Sequence, residues 1–182
     1  MSKNISIRLS RARKMSIMRF AMMPLELTTY TAEQTRAFGA RLGRLARAGD
    51  LFCLEGDLGA GKTCFTQGLG QGLGITDAIH SPTFILANEH RGGRVPLFHL
   101  DVYRVNSAAE AWGIGLDDYL NDEGVCVIEW AEKIRAALPR ESLWITFRHR
   151  DETTRAITFN ATGARYEQLV RELASEHDAS RD

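Results

Sequence analysis

The chain has 182 residues, of which 44% are hydrophobic and 25% are charged, and its formal net charge is zero. This length and composition fit one globular domain with a sizeable core and argue against a second full domain. A zero net charge excludes a strong overall field that would attract nucleic acid or a membrane surface. No segment of the sequence is long and apolar enough to span a bilayer.

The charge is distributed unevenly along the chain. Residues 1–24 contain six basic residues and no acidic residue, which leaves 17 basic and 23 acidic residues in the remainder. Arg19 interrupts the apolar residues that a secretory signal needs, which argues against export. Three other interpretations of this basic stretch stay open: a transit peptide, an arm that contacts RNA, or a translated stretch upstream of the true start at a later methionine. We predict a basic, disordered leader over residues 1–24 and a folded domain over residues 25–182.

Three cysteines, Cys53, Cys64 and Cys126, are scattered along the chain. Their spacing matches neither a metal site nor a disulfide framework. This pattern is typical of a protein in a reducing compartment, so we predict that the protein is cytoplasmic.

Helix and strand patterns alternate in the first half of the domain. Phe38, Leu42 and Leu45 recur at three- and four-residue steps, as on one face of an amphipathic helix. Thr31 and Gln34 form a capping box where this helix would begin. The predicted elements are a helix over residues 31–48, a buried strand over 51–55, a helix over 62–73, and a hairpin of strands over 84–90 and 95–102. The glycines of the second helix predict either tight packing or early fraying.

The alternation continues in the second half. Ser107 and Glu110 form another capping box, and the continuous apolar run from Val125 to Ile128 is typical of a central parallel strand. The predicted elements are a short helix from residue 107, a helical turn over 116–120, a strand over 125–128, a helix over 131–138, a hairpin of strands over 143–148 and 156–160, and a final helix over 164–174. Together they predict an α/β fold, a single three-layer sandwich of the P-loop NTPase type with a mixed central sheet.

A glycine-rich loop lies between the first predicted strand and the second predicted helix. Its sequence fits GxxxxGK[ST], the phosphate-binding loop, in which backbone N–H groups and the following helix hold a polyphosphate. The lysine of this pattern reaches the β- and γ-phosphates, and the threonine hydroxyl ligates Mg²⁺. A glycine-rich turn that binds nothing is the alternative. The predicted nucleotide-binding residues are Gly56, Asp57, Leu58, Gly59, Ala60, Gly61, Lys62 and Thr63.

Two carboxylates at the ends of predicted strands are candidates for the same site. Glu129 follows the central strand, and a group at that place in a parallel sheet lies beside the loop, where it could share Mg²⁺ with Thr63. An ordinary strand-end acid is the alternative for Glu129. Asp101 and Arg104 close the second strand of the first hairpin. They either orient an attacking water and offset developing charge, or form an ion pair that pins the strand end.

Several other residues near these segments could serve structure or function. Thr83 lies in a proline-initiated turn, at a place where switch threonines occur in other nucleotide-binding proteins. His99 is predicted to be a structural histidine. Trp112 and Trp144 are predicted to lie in the core, whereas Trp130 packs in the core, stacks on a base or faces a partner.

Four motifs occur in order along the chain: GDLGAGKT, SPTF, HLDVYR and VIEW. In this order they resemble the bacterial ATPase family of tRNA threonylcarbamoyladenosine biosynthesis, the TsaE type, from about residue 31 to the C-terminus. The resemblance implies a cytoplasmic, Mg²⁺-dependent ATP hydrolase that is weak alone. It also implies action with a threonylcarbamoyltransferase subunit and that subunit's inactive homologue. The complex would modify the adenosine next to the anticodon, so the protein would act on tRNA indirectly.

The resemblance implies roles for individual residues. Residues 56–63 would hold ATP, and Thr63 and Glu129 would hold Mg²⁺. Lys62, Asp101 and Glu129 would be catalytic, with Asp101 positioning the hydrolytic water. The segments that carry SPTF and HLDVYR would be switch-like, and the basic leader departs from the compact family pattern.

Two other functions fit the loop and the chain length. A small-molecule kinase would use the same loop, but the sequence has no arginine-rich lid, and residues 148–150 are the nearest substitute. A non-catalytic nucleotide sensor would bind ATP without hydrolysing it. The sequence leaves base preference open, because no NKxD-type guanine motif occurs and ordinary loop contacts can hold adenine.

Overall fold

The computed structural model describes residues 7–8, 24–83, 86–120 and 123–178. Within these residues one mixed sheet carries helices on both faces, which confirms the predicted three-layer α/β fold. The strands are β1 (Ile7–Arg8), β2 (Leu25–Thr29), β3 (Leu51–Glu55), β4 (Ala87–His90), β5 (Leu97–Asp101), β6 (Val125–Glu129), β7 (Ser142–His149) and β8 (Arg155–Thr162). The helices are α1 (Ala32–Leu45), α2 (Lys62–Gly72), α3 (Ala108–Gly113), α4 (Leu116–Leu120) and α5 (Ala164–Asp178), with a 3-10 helix over Ala131–Ala137.

The strands of the described residues follow the order β1-β2-β8-β7-β3-β6-β5-β4. The centre of the sheet is parallel, because β3 pairs in parallel with both β7 and β6, and β6 pairs in parallel with β5. The outer strands pair antiparallel and include the predicted hairpins β4–β5 and β7–β8. The predicted central strand is therefore confirmed as β6. The carboxyl ends of β3, β6 and β5 meet at one edge of the sheet, where open α/β proteins bind ligands.

Two apolar cores lie on opposite faces of the sheet. On the face covered by α1, α2 and α5, Phe65 is fully buried and packs against Phe147 and Phe159, whose ring centroids lie 5.5 and 6.1 Å away. On the other face, α3, α4 and the 3-10 helix cover the sheet. The predicted docking of the final helix is confirmed, since α5 buries the residues that share one face in the sequence pattern: Tyr166, Leu169, Val170 and Leu173.

Helices α1 and α2 pack with their backbones in close contact. A Cβ added at Gly39 would lie 2.1 Å from the carbonyl oxygen of Phe65, and one added at Gly68 would lie 1.9 Å from that of Arg36. Only glycine allows this approach. The tight-packing alternative for the glycines of α2 is therefore confirmed, and this contact fixes the helix that follows the glycine-rich loop.

The amino-terminal strands were not predicted. In β2, buried Leu25 and Leu27 alternate with exposed Glu26, which is the pattern of a half-buried strand. Two apolar residues in five are too few to distinguish such a strand from a leader. Ile7–Arg8, inside the predicted leader, forms β1 and pairs with β2. Residues 1–6 and 9–23 of the leader lie outside the described residues, so their disorder stays a prediction.

Two helical features differ from the prediction. The segment after β6 is a 3-10 helix instead of an α-helix, and Ile134 interrupts it with a non-helical φ of −120°. Trp112 was wrongly predicted to be a core residue, because the short helix α3 buries Ala111 and leaves Trp112 47% exposed. No helix in the described part of the chain has the length and apolarity that crossing a membrane requires.

Gly68→Ala tests the close packing of α1 and α2. Alanine favours a helix by roughly 1 kcal/mol over glycine, but here its Cβ would meet the Arg36 carbonyl oxygen and push the helices apart. We expect a net loss of about 1–3 kcal/mol in the free energy of unfolding, measured by urea titration. Gly113→Ala is the matched control, because nothing lies within 4 Å of its added Cβ. A Gly68→Ala protein as stable as the wild type would contradict the packing.

Candidate nucleotide and metal site

The loop between β3 and α2 has the backbone that a phosphate-binding loop needs. Gly56 and Gly61 have φ values of 137° and 108°, which residues with a side chain rarely adopt. A Cβ at Gly56 would also lie 2.3 Å from the Phe147 carbonyl oxygen. The loop is exposed at its tip, where Leu58 is 85% exposed. It leads directly into the amino terminus of α2, the end of a helix that attracts an anion.

The loop lysine, Lys62, is folded onto its own loop. Its side chain is buried, and Nζ donates to the carbonyl oxygens of Gly56 at 2.5 Å and Asp57 at 3.0 Å. Nζ also lies 3.6 Å from the centroid of the Trp130 ring, which is a cation–π contact. Burial lowers the pKa of Lys62, and the nearby Glu129 carboxylate opposes that shift. A polyphosphate in the loop would therefore compete with two carbonyl groups and a ring for this lysine.

Thr63 and Glu129, the two predicted metal ligands, lie side by side. Thr63 Oγ1 donates to Glu129 Oε2 at 3.0 Å, although 66 residues separate them in sequence. The parallel register explains the contact, because Glu129 at the end of β6 lies opposite Leu54 of β3, just before the loop. Glu129 is only 2% exposed. The loop therefore meets a buried carboxylate at the point where its threonine begins the helix.

The donor atoms of Thr63 and Glu129 suit Mg²⁺. This ion prefers oxygen ligands and is usually held by one or two carboxylates together with substrate phosphates and water. Thr63 supplies a hydroxyl oxygen, and Glu129 supplies a carboxylate oxygen. Among the residues that the structure describes, no group of three or more His, Cys, Asp or Glu side chains could hold a metal ion. Mg²⁺ usually completes its coordination with substrate phosphates and water, so a cation held by Thr63 and Glu129 would take its remaining ligands from a bound nucleotide and from water.

Glu129 has a second partner, His99, that was not predicted to join the site. His99 Nε2 lies 2.9 Å from Glu129 Oε1, and both side chains are buried. The sequence holds a signal for this contact. His99 and Asp101 are two residues apart in one strand, so they share a face of the sheet. Side chains alternate between the two faces of β5, so the sequence together with the pairing of β5 and β6 would have placed His99 beside the other site residues.

Asp101 holds the turn that contains Ser81 and Thr83. Its Oδ2 accepts hydrogen bonds from Ser81 Oγ and Thr83 Oγ1, both at 2.6 Å, and its Oδ1 accepts from the backbone N–H of Tyr103 at 3.0 Å. Asp101 also lies opposite Glu129 in the register of β5 and β6. The predicted water-positioning residue and the predicted switch threonine are therefore bonded to each other beside the loop.

Trp130 connects the loop to the protein surface. Its φ of 63° is left-handed, which costs a residue with a side chain about 1–3 kcal/mol. In this conformation the indole contacts Lys62 and also the Tyr103 ring, whose centroid lies 5.0 Å away. Tyr103 is 51% exposed, and Lys133 donates to its carbonyl oxygen. A molecule that contacts Tyr103 at the surface would be connected to Lys62 through the Tyr103–Trp130 ring contact and the Trp130–Lys62 cation–π contact.

A cavity of about 430 Å³ lies beside the loop. Its walls come from the start of α1, from the loop and from the β7–β8 connection, and they include Tyr30, Thr31, Gly61, Cys64, Glu152 and Arg155. Arg155 Nη2 reaches the Gly59 carbonyl oxygen at 3.5 Å, which joins the connection to the loop. A cavity of this size accommodates a small ligand.

Comparisons with known proteins identify the family. A family model described as threonylcarbamoyl adenosine biosynthesis protein TsaE matches residues 29–157. The chain belongs to the TsaE family. A Bacillus subtilis (strain 168) relative, named tRNA threonylcarbamoyladenosine biosynthesis protein TsaE, is 46% identical over 157 residues, which are 86% of this chain and 98% of the relative. A Treponema pallidum (strain Nichols) relative of the same name is 42% identical over 128 residues, which are 70% of this chain and 94% of the relative.

A solved structure agrees with the family assignment. The crystal structure of Bacillus subtilis YdiB matches with a TM-score of 0.75 and 43% sequence identity, and the match covers 85% of this chain and 96% of that one. The predicted α/β fold and the predicted resemblance to the TsaE family are both confirmed.

Asp101→Ala tests whether Asp101 tethers the turn over residues 81–83. The variant leaves the hydroxyls of Ser81 and Thr83 without their shared acceptor. We expect faster amide hydrogen exchange in peptides covering this turn, and a loss of about 1–3 kcal/mol in the free energy of unfolding. Asp77→Ala is the control, since it removes an exposed carboxylate from the same connection. Unchanged exchange in Asp101→Ala would show that the turn does not depend on this carboxylate.

Proposed function

We propose that this protein is an Mg²⁺-dependent ATP hydrolase required for the N6-threonylcarbamoyladenosine modification of tRNA. The contact that carries the proposal is the 3.0 Å hydrogen bond between Thr63 Oγ1 and Glu129 Oε2. It joins the end of a phosphate loop to a strand-end carboxylate, which is the pair of groups that holds Mg²⁺ in nucleotide hydrolases. The family of the chain and the names of its relatives support the connection to tRNA.

In this proposal residues 56–63 bind the triphosphate of ATP through their backbone N–H groups and the amino terminus of α2. Lys62 Nζ leaves the carbonyl oxygens that it contacts in the structure and binds the β- and γ-phosphates. The adjacent cavity receives the ribose and the adenine. Arg155, which lies between the cavity and the loop, closes the side of the cavity formed by the β7–β8 connection.

Hydrolysis requires a positioned water and a means to offset charge on the transferred phosphoryl group. Bound Mg²⁺ would offset charge on the β- and γ-phosphate oxygens, and Thr63 and Glu129 would hold it. Asp101 keeps one free lone pair, on Oδ1, after accepting three hydrogen bonds, so its carboxylate can accept a hydrogen bond from water and orient it. Lys62 supplies the remaining positive charge from within the loop.

We infer that the isolated protein hydrolyses ATP slowly, because Lys62 can bind the phosphates only in the fraction of molecules in which it has left two carbonyl groups and the Trp130 ring. A threonylcarbamoyltransferase subunit and its inactive homologue are the proposed partners. They would act in the cytoplasm and would contact tRNA, so this protein would reach tRNA only through them. Contact with exposed Tyr103 is one route by which a partner could alter the hold on Lys62.

Lys62→Ala tests the proposed function in cells and in the assembled complex. Removal of a preorganised charge at the reacting phosphate should lower ATP turnover by about 100-fold or more, and cells that depend on the variant should lose the tRNA modification, measured by nucleoside mass spectrometry. Arg91→Ala is the charge-matched control. It removes an exposed cation from the β4–β5 hairpin, at the opposite edge of the sheet from the loop.

Normal tRNA modification in Lys62→Ala cells would contradict the proposal. Transfer of the γ-phosphate to a nucleoside or metabolite, instead of to water, would favour a kinase. ATP binding without turnover, even in the assembled complex, would favour a nucleotide sensor.

A further inference from the structure

The His99 imidazole is the innermost group of the site. It is fully buried on β5, opposite Val127 of β6, and its Nε2 lies 2.9 Å from Glu129 Oε1. Its other ring nitrogen, Nδ1, has no hydrogen-bond partner among the described residues. The single strong contact of this side chain is therefore with the carboxylate that would hold the metal.

The direction of this hydrogen bond follows from the chemistry of the two groups. An ionised carboxylate has no hydrogen to donate, so His99 Nε2 donates and Glu129 Oε1 accepts. The Thr63 hydroxyl donates to the other oxygen, Oε2, at 3.0 Å. The carboxylate is thus held from two sides, by a buried ring behind it and by the end of the phosphate loop in front.

A glutamate needs such support to act as a precise ligand. The last side-chain torsion of glutamate, χ3, has a broad distribution, so an unsupported carboxylate does not fix which of its two oxygens faces the loop. Metal-binding carboxylates are usually hydrogen-bonded by a second residue that sets their orientation. His99 occupies Oε1 from the interior of the protein, which leaves Oε2 directed at Thr63.

We propose that His99 is a positioning residue for Glu129, which aims Oε2 at the divalent cation of the nucleotide site. This inference rests on the proposed function and deepens it. His99 does not touch the substrate in this arrangement. It acts through Glu129, so its loss should weaken the binding of the metal without weakening the grip of the loop on the nucleotide.

A matched control for His99 lies on the neighbouring strand. His90 of β4 is also buried, and β4 pairs with β5. Its Nε2 has no hydrogen-bond partner among the described residues, and it lies opposite Leu97. Replacing His90 with phenylalanine therefore makes the same chemical change in the same part of the sheet without removing a contact to Glu129.

The test measures Mn²⁺ binding to the full-length protein with a non-hydrolysable ATP analogue, followed by electron paramagnetic resonance. Mn²⁺ takes the same oxygen ligands as Mg²⁺. His99→Phe fills the ring volume but cannot donate, so we expect its Mn²⁺ affinity to fall by about 10- to 100-fold. Its affinity for the analogue in EDTA should stay unchanged. His99→Gln carries an amide N–H at similar reach and should recover most of the Mn²⁺ affinity, and His90→Phe should match the wild type.

Three results would overturn the inference alone: wild-type Mn²⁺ affinity in His99→Phe, an equal loss in His90→Phe, or no recovery in a folded His99→Gln. If His99→Phe does not fold, His99→Leu takes its place, because leucine is smaller and also cannot donate to Glu129 Oε1. Wild-type Mn²⁺ affinity in a folded His99→Leu would likewise overturn the inference. A wild-type protein whose affinity for the analogue is the same in EDTA and in Mn²⁺ would overturn the proposed function, and this inference with it.

Discussion

The parallel pairing of β3, β6 and β5 is the constraint on which the candidate site depends. The register sets Leu54 opposite Glu129 and Asp101 opposite Glu129, so the loop after β3 meets both carboxylates at one edge of the sheet. Neither a loop nor a carboxylate alone defines the site. Because side chains alternate between the two faces of a strand, a slip of one residue would move every side chain into the apolar core of the opposite face. The core therefore fixes the geometry of the site.

The buried charges of the site are stable because each one has partners. A buried charge without a partner is costly, and removing one member of a buried pair leaves the other uncompensated. Glu129 is bonded to Thr63 and His99, Asp101 to two hydroxyls and a backbone N–H, and Lys62 to two carbonyl groups. A nucleotide would exchange some of these partners for phosphate oxygens. The bonds of Lys62 are the ones that must break, whereas those of Asp101 can persist.

The fold and the loop could be predicted because their signals are local. The caps at Thr31 and Ser107, the glycine loop and the apolar run of β6 each lie within a few residues of sequence. The contacts between segments could not be predicted in this way. The hydrogen bond between His99 and Glu129 joins residues that are distant in sequence, and it depends on the order of the strands. The cation–π contact between Lys62 and Trp130 also joins distant residues, and it depends on the left-handed backbone of Trp130.

The most direct measurement of the central claim is a crystal structure of the protein with Mg²⁺ and a non-hydrolysable ATP analogue. We expect one Mg²⁺ ion at about 2.1 Å from both Thr63 Oγ1 and a Glu129 oxygen. We also expect Lys62 Nζ to bind the β- and γ-phosphates instead of the carbonyl oxygens of Gly56 and Asp57. A triphosphate bound away from residues 56–63, or a metal ion held without Glu129, would contradict this arrangement.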